Sequence, residues 1–212
     1  MAYIETTPPG EAKDAVLEMY ARQQSAWGYV PNYAKVFCHR PEVMMRWAKL
    51  LAEVRRPLDA RRFELVTFAA AHELRHTTCA LAHGKALTKF FDNDEICAIA
   101  EEESVDALSD AEKEMINFAR KIARDASKIT SEDVGALKQK GFSDADIFDI
   151  AATAAARSFF TKLLDALGSE PDSAFLSLNE GLRRSLTIGR PIESRPVEAM
   201  PAIAESAPTD SD

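Results

Sequence analysis

The chain has 212 residues, 46% of them hydrophobic, and a formal net charge of -8, which is enough apolar material for one good core or two small ones packed together. An acidic surface without any lysine or arginine run repels phosphates and argues against nucleic acid as a partner. No basic stretch followed by an apolar one opens the chain and no window reaches the apolar length of a membrane span, so no membrane partner and a cytoplasmic location are expected.

Strand alternation is almost absent, and the expected fold class is all-α. Helix signals fall at roughly 10–27, 41–55, 59–91, 93–103, 109–125, 131–140, 143–168 and 171–185. Capping boxes mark several starts: Asp92 with Glu95, Ser109 with Glu112, and Ser143 with Asp146. Ile129 and Val134 flank Thr130, and Phe142 and Ile147 flank Ser143, at the spacing of a hydrophobic staple; Gly141 ends the preceding helix. The stretch 143–168 carries Ile147, Ile150, Ala151, Ala154, Ala155 and Phe159 on an alanine-rich apolar stripe, which suits the centre of the fold. From about 186 the chain holds Pro191, Pro196, Pro201 and Pro208 with few large apolar residues, the composition of an extended arm or of disorder.

A weak internal repeat runs through the middle. Leu58, Glu64, Phe68 and Ala69 match Leu108, Glu114, Phe118 and Ala119 at one offset. Phe91, Glu95, Ile96 and Ile99 match Phe142, Asp146, Ile147 and Ile150 one residue further on. Two similar helical modules packed together explain this, and so does chance similarity between amphipathic helices. The expected organisation is one helical domain over 1–185, with a first module at 59–103 and a second at 108–168, followed by the arm or tail 186–212. The second module has no cysteine or histidine.

The chemistry-bearing residues are concentrated in the first module. All four histidines lie between positions 39 and 83, and His72, His76 and His83 surround Cys79 at helical spacings of three and four. A neighbouring imidazole can take the thiol proton or, once protonated, stabilise the thiolate, which is both the nucleophile and the form that peroxide oxidises. Either one helix runs unbroken through 59–91, or it breaks before Cys79 with Thr78 as N-cap, placing the sulfur at a positive helix end. The break is preferred, because an unbroken helix holds Glu64 some three turns away from the thiol. The bland reading is a buried cysteine acting as a small hydrophobe beside a core histidine. No metal or cofactor is expected, since four residues along one straight helix span too far to share one ion. Three cysteines make no disulfide framework. Cys97 reads as core, and Cys38 as structural, with a smaller chance of meeting Cys79 in space.

Glu64, eleven residues, position 76, two residues, Cys79, three residues and His83 resemble the motif E-x11-C-x-x-C-x3-H of the alkylhydroperoxidase D-like proteins, in the carboxymuconolactone decarboxylase superfamily. Gly28-Tyr-Val-Pro-Asn32 resembles a loop of the longer, peroxidase-related members, and the likeness covers roughly 10–188. The resemblance implies an all-helical homo-oligomer that reduces hydroperoxides. Cys79 is then the attacking thiol, with His83 as its base and Glu64 as an outer proton relay. The first motif cysteine is His76 here, which can donate a proton but cannot close a disulfide. Three outcomes remain: a one-cysteine peroxidase recycled by an external thiol, a peroxidase resolved by Cys38 or Cys97, or a site that has left peroxide chemistry. Phe63, Phe68, Phe90 and Phe91 near the motif point to an organic hydroperoxide. The rival readings are a decarboxylase-like enzyme using His76, His83 and Arg75 without the thiol, and a non-catalytic oligomeric module.

Overall fold

A computed structural model describes residues 2–103, 105–198 and 200, and every regular element among them is helical. The α-helices are α1 (Asp14–Trp27), α2 (Asn32–Val36), α3 (Pro41–Arg55), α4 (Ala60–Glu73), α5 (Thr77–Leu87), α6 (Asn93–Ala100), α7 (Asp110–Asp125), α8 (Ser131–Gln139), α9 (Asp144–Ala166) and α10 (Glu180–Leu186). None is long and apolar enough to cross a membrane. The all-α expectation therefore stands. Capping boxes are present at Asp92/Glu95, Ser109/Glu112, Thr130/Asp133 and Ser143/Asp146, so side chains satisfy the free amides of each first turn.

The segment 171–185 is not one helix: a 3-10 turn over Ser173–Ser177 gives way at Leu178, and Asn179 caps α10 by accepting from the Leu182 amide. The short α2 and the 3-10 turn Phe37–His39 have no counterpart in the sequence reading, being too brief to show a period. The 59–91 segment breaks at Arg75. His76 N–H bonds the Ala71 carbonyl at 3.1 Å and Arg75 N–H the His72 carbonyl at 2.8 Å, while Arg75 itself has φ 55°. That is a Schellman motif with arginine where glycine is usual.

The two repeat segments pack together. α4 lies against α5, α7 and α9, and Leu65 through Ala71 are all fully buried, so no face of the helix meets water. Arg61 Nε donates to Glu112 Oε1 at 2.6 Å, and Arg124 Nε donates to Glu73 Oε1 at 2.7 Å. Each pair joins α4 to α7 across 51 positions, one at the start and one at the end, so the two helices run parallel and in register.

α9 spans two apolar clusters. Ile147, Ile150 and Ala154 join the cluster of α4–α8, whereas Phe160 and Leu164 join a second one with α1, α2, α3 and Cys79. Its buried stripe is displaced from the expected one: Ala155 and Phe159 face outward, and Arg157 takes an inward position. The C-terminal stretch to Glu198 is an extended arm laid over the helices. Gly189 N–H donates to Thr77 Oγ1 at 2.9 Å, Glu193 N–H to the Pro171 carbonyl at 2.9 Å, and Val30 N–H to the Glu198 carbonyl at 3.1 Å. Pro201 and Pro208 lie outside the described residues.

Candidate active site

The break at Arg75 decides where the thiol sits. His76, not Thr78, is the N-cap of α5: its Nδ1 accepts the Cys79 amide at 3.2 Å. Cys79 is thereby the third residue of the helix, in the first turn, with its side chain buried. An N-cap needs an acceptor, so the His76 proton resides on Nε2, which faces Asp165 Oδ1 at 4.0 Å. Burial pushes the His76 pKa down to about 4, outweighing the opposite pull of Asp165, so the ring is neutral at physiological pH. His76 thus positions the helix end and is not a lining residue of the cavity described below. The break also removes His72 from the stripe; it ends α4 against Phe68.

Glu64 and His83 meet across the α4–α5 packing. Glu64 Oε2 lies 2.6 Å from His83 Nδ1. Burial opposes the Glu64 charge, yet the His83 hydrogen bond, then the charges of His83, Arg55 and Arg157, hold its carboxyl below the usual range. An ionised Glu64 makes Nδ1 the donor and leaves Nε2 as a free acceptor. Burial, and next the Arg157 charge, push the His83 pKa down, so the ring is neutral and able to accept a proton. His83 stands one turn beyond Cys79 on the same face of α5.

Arg157 completes the group. It comes from α9 in the other module, and its Nη1 lies 3.4 Å from Cys79 Sγ. Burial raises the Cys79 pKa, while the charge and hydrogen bond of Arg157 work to lower it; the net direction is up. The resting thiol is therefore protonated and needs a base. The Arg157 side chain is only 5% exposed, among the described residues no carboxylate pairs with it, and its Nε has no partner. Sequence reasoning missed this residue. Its signal was a single arginine in the run Ala154-Ala-Ala-Arg157-Ser-Phe-Phe160, at the buried spacing between Ala154 and Phe160.

These groups line one cavity of about 500 Å³, a size that suits a small organic molecule. Its walls are aromatic: Trp27, Tyr29, Tyr33, Trp47, Phe160 and Phe175. Trp47 stacks on Phe160 with centroids 5.7 Å apart, and Tyr33 meets Phe160 edge-on at 5.5 Å. The phenylalanines that the sequence offered are elsewhere. Phe68 and Phe91 are in the α4–α8 cluster with Phe90 against it, Phe63 is buried under the Arg55 guanidinium, and none lines the cavity. Cys38 accepts the Thr7 amide at 3.4 Å and Cys97 stands on α6; neither lines the cavity, and all three cysteines are free. Arg75 is exposed and outside the cavity.

No family model and no curated protein matches the chain. Solved structures do. An uncharacterised peroxidase-related protein from Ralstonia eutropha JMP134, described as an alkylhydroperoxidase AhpD core, superposes with a TM-score of 0.72 at 21% identity, covering 85% of this chain and 96% of its own. A peroxidase-related protein from Silicibacter sp. TM1040 gives 0.70 at 19% identity, over 83% and 94%. The debrominase Bmp8, as a cysteine variant in complex with 2,3,4-tribromopyrrole, gives 0.62 at 14% identity, over 80% and 88%.

Proposed function

We propose that this AhpD-like helical fold serves as a thiol-dependent reductase of organic hydroperoxides, with Cys79 as its nucleophile. The observation that carries the reading is the meeting of Cys79, the Glu64–His83 pair and Arg157 in one aromatic cavity. His83 Nε2 takes the thiol proton, and Glu64 stabilises the imidazolium that forms. Arg157 holds the thiolate. The thiolate sulfur attacks the distal oxygen of the hydroperoxide: the S–O bond forms, the O–O bond breaks, and the alkoxide leaves as the alcohol after taking the proton from His83. The sulfur is oxidised by two electrons to the sulfenic acid and the peroxide is reduced.

His76 occupies the place of a resolving cysteine, and neither Cys38 nor Cys97 lines the cavity. Recycling therefore falls to an external thiol. It attacks the sulfenic sulfur and releases water, leaving a mixed disulfide. A second external thiol then releases Cys79 as the free thiol. A homo-oligomeric state is part of the same proposal. So is a cytoplasmic setting, where reduced thiols are abundant.

The test is turnover of cumene hydroperoxide with a monothiol donor. Wild type is expected to turn over and to show a trappable Cys79 sulfenic acid under limiting peroxide. Cys79→Ser is expected to lose activity by on the order of 10³-fold or more. Equal rates in the two proteins sink the proposal. A second reading is favoured by the aromatic walls and by the bromopyrrole bound to Bmp8: the same thiolate acting on a halogenated aromatic ring. Halide release without peroxide turnover selects it.

A further inference from the structure

The cavity wall carries another charged group besides the reacting groups of the proposal. Asp172 lies in the short stretch between α9 and the Ser173–Ser177 turn, is 3% exposed, and lines the cavity wall. One oxygen, Oδ1, accepts the Asn32 amide at 2.8 Å, closing the start of α2, whose own N-cap Pro31 supplies no side-chain acceptor. That task needs an acceptor only, and an asparagine performs it as well. The negative charge is left without an evident structural use. Among the described residues no cation pairs with it; Lys35, whose charge reaches it, is paired with Glu198 at 3.0 Å. An unpaired buried carboxylate is costly, and burial accordingly pushes its pKa up to about 6.

The surroundings say what could pair with it. Asp172 shares the cavity wall with Tyr29, Tyr33 and Phe175, and Trp27 stands edge-on to Tyr33 at 6.5 Å. Burial and then the negative charge of Asp172 raise the Tyr29 hydroxyl well above its ordinary range, and burial does the same for Tyr33. Both rings are therefore neutral phenols. Aromatic rings beside a carboxylate are surroundings that favour a cation: the carboxylate supplies the charge, and a ring face turned to the cation adds to it. A neutral hydroxyl ligand gains only the hydrogen bond. An anion is repelled at this wall and drawn to Arg157 and Arg55, which line the same cavity.

We infer that Asp172 with Tyr29, Tyr33 and Phe175 forms a subsite for a protonated amine, so that the substrate is an apolar molecule that carries a basic nitrogen as well as the group that reacts at Cys79. The inference rests on the functional reading above for the reactive group, and on the Asp172 wall alone for the amine.

Binding can be tested without turnover, because both tryptophans of the chain, Trp27 and Trp47, line the cavity. Their fluorescence is titrated at pH 8 with benzylamine, benzyl alcohol and toluene, using Cys79→Ser protein and the same protein carrying Asp172→Asn. Benzylamine is expected to bind at least about tenfold more tightly than benzyl alcohol. Asp172→Asn is expected to erase the amine preference and leave toluene unchanged. Equal binding of amine and alcohol, no binding by any probe, or an amine preference that survives Asp172→Asn overturns the inference. If Asp172→Asn does not fold, the order of the three probes on the parent protein still decides. Cumene hydroperoxide turnover, which carries no amine, is measured separately: turnover without amine preference discards only this inference, and amine preference without turnover discards only the peroxidase reading.

Discussion

The α4–α5 and α7–α8 helix pairs differ at their connections. α4 passes to α5 through the single left-handed residue Arg75, and Thr77 through Leu81 are all buried. α7 passes to α8 through the 3-10 turn Ala126–Lys128, and within α8 only Leu137 is fully buried. The tight turn drives a helix N-terminus into the protein, and that is where Cys79 stands. The looser turn leaves its helix half in water and free of chemistry. The second module still contributes, since Arg157 on its last helix reaches the sulfur. The site thus lies where α5 and α9 meet α1, α2 and α3, and a buried helix start is what places the thiol there.

After loss of the thiol itself, the largest effect is expected from removing Arg157. Arg157→Leu should lower peroxide turnover by on the order of 10²- to 10³-fold, as loss of a buried electrostatic stabiliser does, and raise the Cys79 pKa further. Folding stability should hold or rise, because a buried cation without a carboxylate is replaced by an apolar side chain. Thermal unfolding and thiolate absorbance against pH read both. A Cys79 pKa that does not move removes Arg157 from the mechanism.

A mid-sized effect concerns the buried start of α5 and has a defined pH sense. The His76 pKa is depressed to about 4 in the folded state. Its contribution to stability is therefore complete above the unfolded value near 6.5 and lost as pH falls toward 4, about 3 kcal/mol in all. Asp172, raised to about 6, works with the opposite sign, and its contribution is lost as pH rises from 4 through 6. The two nearly offset each other in that window. His76→Asn keeps a capping acceptor and removes the imidazole, so in urea unfolding the variant should gain stability less steeply with rising pH between 4 and 6.5 than wild type, by about 3 kcal/mol over the window. Parallel profiles for variant and wild type over this range contradict the neutral, buried His76.

The smallest effect isolates the turn itself. Arg75→Gly relieves a left-handed arginine and should stabilise the protein by about 0.5–1 kcal/mol. Turnover should be unchanged, because the exposed arginine side chain lies outside the cavity. A loss of turnover implicates this side chain, and with it the decarboxylase-like use of Arg75.

Much of the scaffold was legible beforehand. The capping boxes at Asp92, Ser109 and Ser143 are short-range chemistry, so their residues alone announce them. The pairing of Glu64 with His83 followed from motif resemblance, and their 2.6 Å contact gives it a geometry. The cap at His76 was missed because histidine rarely takes that position, and the turn at Arg75 because no glycine marks it. Arg157, Trp47 and Tyr33 come from three different helices, and no local pattern ties any of them to Cys79.

By itself the sequence determined the all-helical class, most of the longer helices with their capped starts, and a single thiol flanked by histidines, because period and capping act within a few residues. Only the tertiary structure decided that His76 supports the helix end while Arg157 faces the sulfur, and that the cavity walls are Trp27, Tyr29, Tyr33 and Trp47 instead of the phenylalanines near the motif. Those outcomes depend on which surfaces are brought together across long separations, where the charge of one buried side chain is felt by another.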